Sequence, residues 1–450
     1  MLIQLLCLFL VNFLFGIAPL FVNELKEISV FSLSFFRFAG SAIFEIIIIF
    51  AVIAWLSRRF RKAGIQKGFL TLVRQSFRNY FKARNPHFLN GKSQLGYLAF
   101  LGFLLGNISI PFYFLSYLEA GVVMSTIFVN ALTLILISAV NWAKGEEHMD
   151  LLKIIDLTLL IAAVFAIAYG NQGKPPGSLT ILPILLIGIT IVVYSTFLIM
   201  LGRDTSQQTE LVEDVRFADL PKTPQLERAA LFLRVMLKLF GIHILGAVLL
   251  IPWTFLLSVV TPATPIGIHA QTFITQDLFQ SFSHFLNPAI LGLIVLCTTL
   301  PYFLLVFSAI TWPKNALKHE IWTSVFTLVD PLVGLYIGLF VWKDNIRADY
   351  VAFTTIFLIA GIVIRYFYET VNARRFLFVI SLKQNYFTQF VTILRKIKEI
   401  DQFNVVLGTY DVILHLTVRS MARLGEISNQ INYFPGVEKA YYSVEKLMKK

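Results

Sequence analysis

Apolar residues fall into long unbroken runs separated by short polar stretches, and this pattern holds from the N-terminus to about residue 370. A run of about 20 apolar residues is the length that a helix needs to cross a bilayer. Lipid offers no hydrogen bonds to a backbone, so a spanning segment is either a helix or a strand of a closed barrel. These runs are continuous rather than alternating, which selects helix. Helices are predicted at 2–22, 31–56, 96–115, 119–141, 152–170, 179–201, 234–259, 288–311, 319–341 and 350–368. The sixth follows a Pro/Gly linker of Gly173, Pro175, Pro176 and Gly177.

The pattern changes after about residue 373. FLFVISL (376–382) reads as a strand, and 386–400 as an amphipathic helix with Phe387, Phe390, Ile393, Leu394 and Ile397 on its apolar side. FNVVL and DVILHLTV read as two strands around Gly408, 421–434 as a second helix and VEKAYYSV as a last strand. The order βαββαβ is that of a ferredoxin-like fold. About 75 residues give a core that is marginal alone, which makes dimerisation through this tail physically sensible. The predicted fold class is therefore an all-α polytopic membrane protein of about ten transmembrane helices with a small α+β C-terminal domain. Its expected boundaries are 1–170 and 171–370 for two five-helix units and 374–450 for the tail.

Composition agrees. Of 450 residues, 57% are hydrophobic and 14% charged, against about 45–50% and about 25% in soluble domains. A net charge of +12 would suit nucleic acid, but much of it lies in loops between apolar runs, where it reads as topology and contact with anionic lipid. The loop 57–95 holds ten basic residues, Arg58, Arg59, Arg61, Lys62, Lys67, Arg74, Arg78, Lys82, Arg84 and Lys92, and no acid. It is expected on the cytoplasmic side, together with the 202–233 and 312–318 loops and both termini, in an inner or plasma membrane. Within it Ile65, Phe69, Leu72, Val73, Phe77 and Tyr80 recur at helical spacing among the cations, as in a helix lying on lipid headgroups. The first run lacks a basic n-region and reads as a permanent helix, not a removed signal. Cys7 and Cys297 lie in apolar segments and imply no disulfide framework.

Ten helices divide into two fives, and an odd-numbered unit repeated once must be inverted in the membrane. NWAKGEE (141–147) and VWKDN (341–345) each close an apolar span on a charged turn, followed by a span containing Gly170 or Gly361. The segment WPKNALKHEIWTSVFTLVDPLVGLYIGLFVWKDNIRADYVAFTTIFLIAGIVI (312–364) resembles the closing helix pair of the drug/metabolite transporter superfamily, EamA type. Asp330-Pro331 stands at the family's acidic-Pro step, and FSLSFFRF (31–38) resembles its arginine-bearing second helix. The resemblance covers roughly residues 1–370 and implies a secondary transporter of small solutes made of two inverted five-helix repeats. The fourth helix departs from the pattern: it has no proline, and Asn130 lies near the position of Pro331. In the tail, GTYD (408–411) and FPGVEKAYYSV (434–444) resemble the effector domain of leucine-responsive/AsnC-type regulators. That resemblance places Gly408, Tyr410, Asp411, Pro435 and Gly436 in the effector domain, and implies a homodimer and an amino-acid effector. No helix-turn-helix accompanies it, so no nucleic-acid partner is expected.

Ionisable groups within a membrane are costly and mark function by default. Arg37, Ser41 and Glu45 share one face of the second helix. Arg37 and Glu45 are separated by about 12 Å along the axis, too far to pair. Arg37 is equally consistent with anchoring at the headgroups; Glu45, in a strongly apolar run, favours function. Asp330 precedes Pro331 in mid-span, where a proline removes a backbone donor and loosens nearby carbonyls. A broken helix with a carboxylate suits a proton relay or cation contact; a kink with a neutral aspartic acid is the bland alternative. Asp156 reads as structural, and His243 as interfacial at the cytoplasmic end of its helix. Among neutral groups Asn12, Asn107, Asn130, Tyr194, Thr298 and Thr299 are candidates for a substrate path, though each alone suits helix packing. His269 and His284 lack metal-ligand spacing, and Glu146, Glu147 and His148 read as a loop. No phosphate loop, dinucleotide fingerprint or nucleophile motif is present, so no cofactor and no enzyme activity are expected.

Overall fold

The computed structural model describes residues 2–62, 68–82, 93–143, 151–171, 181–205, 224–310, 319–370, 374–394, 397, 399–406, 410–418 and 421–444. Gly408, the 173–177 linker and the Glu146–His148 turn lie outside them. The helices are α1 (Leu2–Glu24), α2 (Val30–Lys62), α3 (Phe69–Lys82), α4 (Gln94–Ala120), α5 (Val122–Ala143), α6 (Leu151–Gly170) and α7 (Ile181–Thr205). They continue with α8 (Pro224–Val260), α9 (Pro265–Thr272), α10 (Pro288–Leu305), α11 (His319–Phe326), α12 (Val329–Phe340) and α13 (Ala348–Thr370). Among the described residues, nine helices are long and apolar enough to cross a membrane, as expected of a multi-pass membrane protein. The ninth predicted span, 319–341, is two helices: α11 ends at Phe326 and α12 starts at Val329, one residue before Asp330-Pro331. The 12 residues of α12 rise only about 18 Å, short of the ~30 Å hydrocarbon core.

Local chemistry sets the helix starts. Ser93, Thr264 and Asn287 are N-caps whose side chains accept from Gly96 N (3.3 Å), Gly267 N (3.2 Å) and Ala289 N (2.9 Å). The last two are followed by Pro265 and Pro288, which need no N–H partner in a first turn. The start of α2 is capped from far along the chain: Asp277 Oδ2 accepts from Ser29 N at 3.1 Å and from the Ser32 hydroxyl. Gly121, at φ 90°, joins α4 directly to α5. The basic amphipathic segment is helix α3. Leu72, Ser76 and Tyr80 are buried, Phe77 stands edge-on to Phe240 at 5.9 Å, and Arg74, Arg78 and Lys82 stay exposed. Ile65 and Lys67 lie outside the described residues.

Small residues allow α4 and α8 to touch backbone to backbone. A Cβ on Gly102 would lie 2.5 Å from Ile242 O and 2.7 Å from Gly246 N. We expect Gly102→Ala to lower stability by about 3 kcal/mol, the upper end for overpacking, because backbone must move. Thermal unfolding of the purified protein measures this, with Gly188→Ala, which meets open space, as the control.

The tail is a four-stranded antiparallel sheet of order β2-β3-β1-β4, built from β1 (Arg374–Leu382), β2 (Ile400–Val405), β3 (Val412–Val418) and β4 (Val437–Val444). Helices α14 (Phe387–Leu394) and α15 (Met421–Asn432) complete the ferredoxin-like order. Phe376, Phe378, Ile380, Leu414, Leu416, Phe390 and Ile427 fill its core, as strand alternation requires. The first tail helix is shorter than expected: it ends at Leu394, and Ile400 begins β2. Asp411 is a structural fastener. Its carboxylate accepts from Leu382 N at 2.7 Å and its own N–H donates to Ile380 O at 2.9 Å. Tyr410 stands edge-on to Tyr441 at 6.5 Å, and Gly436 O, after Pro435, accepts from Lys383 N at 2.9 Å.

A candidate substrate cavity

Two helices lose their regular ladder at matching points. In α4 the segment Phe103–Ser109 is a π-helix followed by Pro111, and in α10 the segment Val295–Thr299 is a π-helix followed by Pro301. Such π turns recur at functional sites. Each proline withholds one N–H from the turn behind it, and α2, packed between the two helices, supplies donors instead. Ser34 Oγ donates to Gly106 O at 2.6 Å, and Arg37 Nη2 donates to Cys297 O at 2.7 Å. Arg37 Nε donates to Thr298 Oγ1 at 2.5 Å, and Thr298 in turn donates to Leu293 O at 3.0 Å. The guanidinium is thus fixed against α10, with the Phe114 ring 5.9 Å away.

Arg37 borders an internal cavity of about 220 Å³. Asp330 borders it too, in the first turn of α12, where the free N–H groups of a helix start favour a carboxylate. Polar groups on the wall include Asn12, Asn130 and Tyr194; aromatic ones include Tyr113, Phe114 and Tyr302. Asn12 and Asn130 donate to carbonyls one turn back, Leu8 O at 2.9 Å and Thr126 O at 3.1 Å, which orients their amides. One cavity therefore offers a cation, a carboxylate, amides and aromatic faces. Among the described residues no group of His, Cys, Asp or Glu is arranged to hold a metal ion.

Of the predicted path residues, Asn12, Arg37, Asn130, Tyr194 and Asp330 meet at this cavity. Thr298 and Thr299 do not line it. Thr298 holds Arg37, and Thr299 donates to Ile294 O at 3.0 Å and contacts Ser41 Oγ at 3.3 Å. Pro331 is buried in α12 behind Asp330. Asn107 sits in the α4 π turn, 0% exposed, with both amide atoms lacking a partner among the described residues. Glu45 is off the cavity because its face of α2 turns toward α8, where it meets His243 at 2.7 Å. His243, read as interfacial, is buried within the protein, along the middle of α8. Asp156, read as structural, is paired with Arg365 at 2.8 Å. Tyr113 and Tyr302 escaped the sequence reading, yet Ile-Pro-Phe-Tyr (110–113) and Leu-Pro-Tyr-Phe (300–303) repeat each other and mark both sites.

A second hollow of about 380 Å³ lies beyond the Tyr113–Tyr117 ring pair (4.6 Å), among Lys26, Tyr117, Asn171, Trp342 and Asp344. Contacts between helix ends border it. Asp344 Oδ2 accepts from Val123 N at 2.8 Å, Trp342 Nε1 donates to Pro19 O at 2.8 Å, and Lys26 Nζ stands 4.0 Å over the Trp342 ring. Burial raises the Asp344 carboxyl above the usual range, opposed by the Val123 and Val122 N–H groups and by Lys26.

Residues 376–445 match the family described as Lrp/AsnC ligand binding domain. Comparison of the chain with curated proteins finds no match.

Proposed function

We propose that the chain is a secondary transporter of the drug/metabolite, EamA type, which moves amino acids or similar small metabolites by alternating access, with export favoured. The observation that carries this reading is the cavity between Arg37 and Asp330. A cation and a carboxylate facing one apolar, aromatic-walled space suit a zwitterion: carboxylate to Arg37, ammonium to Asp330, side chain against the rings. A volume of about 220 Å³ is below the ~300–1,000 Å³ typical of drug-sized ligands, which favours a small solute over a nucleotide sugar. The paired π turn–Pro segments of α4 and α10 support two related halves, 1–170 and 171–370, and the break before α12 supports a discontinuous helix at the binding site. The basic loop after α2 supports cytoplasmic termini. The tail is read as an effector-sensing or dimerising unit beneath the transporter. A second reading, a membrane-bound amino-acid sensor, draws on the same tail match.

Thermal unfolding of the full-length protein with each amino acid separates the two. A cargo at about 100 times its Kd adds roughly 2.7 kcal/mol of stability. Asp330→Asn removes a charge-assisted bond, so the ligand should bind roughly 10–150-fold more weakly and the shift should shrink. A shift that ignores this substitution would assign the ligand to the tail and favour the sensor.

A further inference from the structure

Glu45 and His243 meet where α2 packs on α8, and both are only 1% exposed. Glu45 Oε1 lies 2.7 Å from His243 Nδ1, while Glu45 Oε2 has no partner among the described residues. The imidazole is clasped edge-on by Phe38 at 4.9 Å and tilted against Tyr302 at 5.5 Å. Tyr302 also lines the substrate cavity, so one ring separates the pair from the cargo. Helix packing does not need this pair. A carboxyl and an imidazole in hydrocarbon are costly, and apolar residues of similar size would fill the same seam. What the pair does offer is a place for a proton: two basic sites share one proton when the pair is neutral, and a second can be added at the free oxygen.

We propose that Glu45–His243 is the proton-binding site through which this transporter couples cargo movement to a proton gradient. The inference rests on the transporter reading above. A proton from one aqueous side binds the pair, its charge changes by one, and the proton leaves to the other side after the bundle has switched. No covalent bond other than those to that proton forms or breaks. The groups around the site fit that role. From α10 comes Tyr302, and from α4 come Gly102 and Gly106, its one charged residue, Glu119, standing near its end. Helix α3 keeps Arg74, Arg78 and Lys82 exposed. At the start of α2 stand Asp277 and His269. On the pair's own helices are Arg37, bound to α10, and the buried Lys238 and Arg234. The described carboxylate in contact with His243 is that of Glu45. Loading the pair therefore acts on Tyr302 and, along α2, on Arg37, which are both at the cargo site.

Two measurements on the full-length protein in lipid test this. The first, pH-difference infrared spectroscopy, needs no cargo. We expect a titrating carboxyl band that E45Q removes and that H243Q displaces along the pH axis. The second compares leucine exchange at equal pH with leucine accumulation driven by a pH difference. We expect E45Q and H243Q to retain exchange and to lose at least about tenfold of the driven accumulation. A carboxyl band indifferent to both substitutions, or driven accumulation undiminished in H243Q, overturns the proposal. Thermal unfolding checks both variants, and H243Q carries the test if E45Q does not fold. If wild-type protein exchanges no leucine, the choice of cargo fails, while the infrared result still decides the proton site.

Discussion

Replacing Arg365 by methionine is expected to lower the stability of the helical bundle by about 3–5 kcal/mol, the largest effect of any single change proposed for its framework. Arg365 in α13 and Asp156 in α6 pair at 2.8 Å, with side chains 3% and 2% exposed. Asp156 Oδ1 has no hydrogen-bond partner among the described residues, and Arg365 is the cation in direct contact with this carboxylate there. Removing the guanidinium leaves a buried carboxylate without compensation, and the loss reflects that orphaned group more than the worth of the pair. The argument has a second half. Replacing both members, Asp156→Leu with Arg365→Met, removes both desolvation costs, and the double variant should regain most of the loss or exceed the parent. A double-mutant cycle read by thermal unfolding measures both. A loss below about 1 kcal/mol for Arg365→Met would mean that the pair behaves as an exposed one, with water reaching it.

That pair also marks how far the sequence could be read. Helix positions were legible because a run of about 20 apolar residues has one structural solution in lipid. Boundaries shifted where polar residues continue a helix: α2 runs on through Arg58–Lys62, beyond the predicted end at 56, because those cations sit comfortably past the apolar span. The break at Thr327–Leu328 was foreshadowed by Asp330-Pro331. The tail's strands were legible from their period of two, but Ile397 and Ile400 suit a helical stripe as well as the approach to a strand, and the helix was drawn too long. Partnerships across helices were not legible. Periodicity puts Arg37 and Glu45 on one side of α2, yet nothing local says that Arg37 reaches α10 while Glu45 reaches a histidine 198 positions away. In a uniformly apolar helix the rotation is set by neighbours; the polar candidates Asn12, Arg37, Asn130, Tyr194 and Asp330 gave part of the cavity, and the two Pro-marked segments, 107–113 and 297–303, carried a further trace of it.

On the proposed transporter reading, with leucine as the cargo, Arg37→Lys is expected to raise the KM for exchange by roughly 10–150-fold while the protein stays folded. The reason is geometric. The guanidinium is planar, and two of its nitrogens are already engaged, Nε with Thr298 and Nη2 with Cys297 O, while the group borders the cavity. A lysine ammonium keeps the charge but has no fork, so it can serve the freed carbonyl of Cys297 or a cargo carboxylate, not both in the same geometry. Thr298→Val, which loosens the fork without removing charge, should give a smaller rise, several-fold, and the two effects should not add, because they act on one contact. Exchange kinetics in proteoliposomes, with unfolding temperatures measured in parallel, separate binding from folding. An unchanged KM in a folded Arg37→Lys variant would make Arg37 a strut between α2 and α10. The carboxylate end of the cargo would then have to be sought at the amides of Asn12 and Asn130, which face the same space.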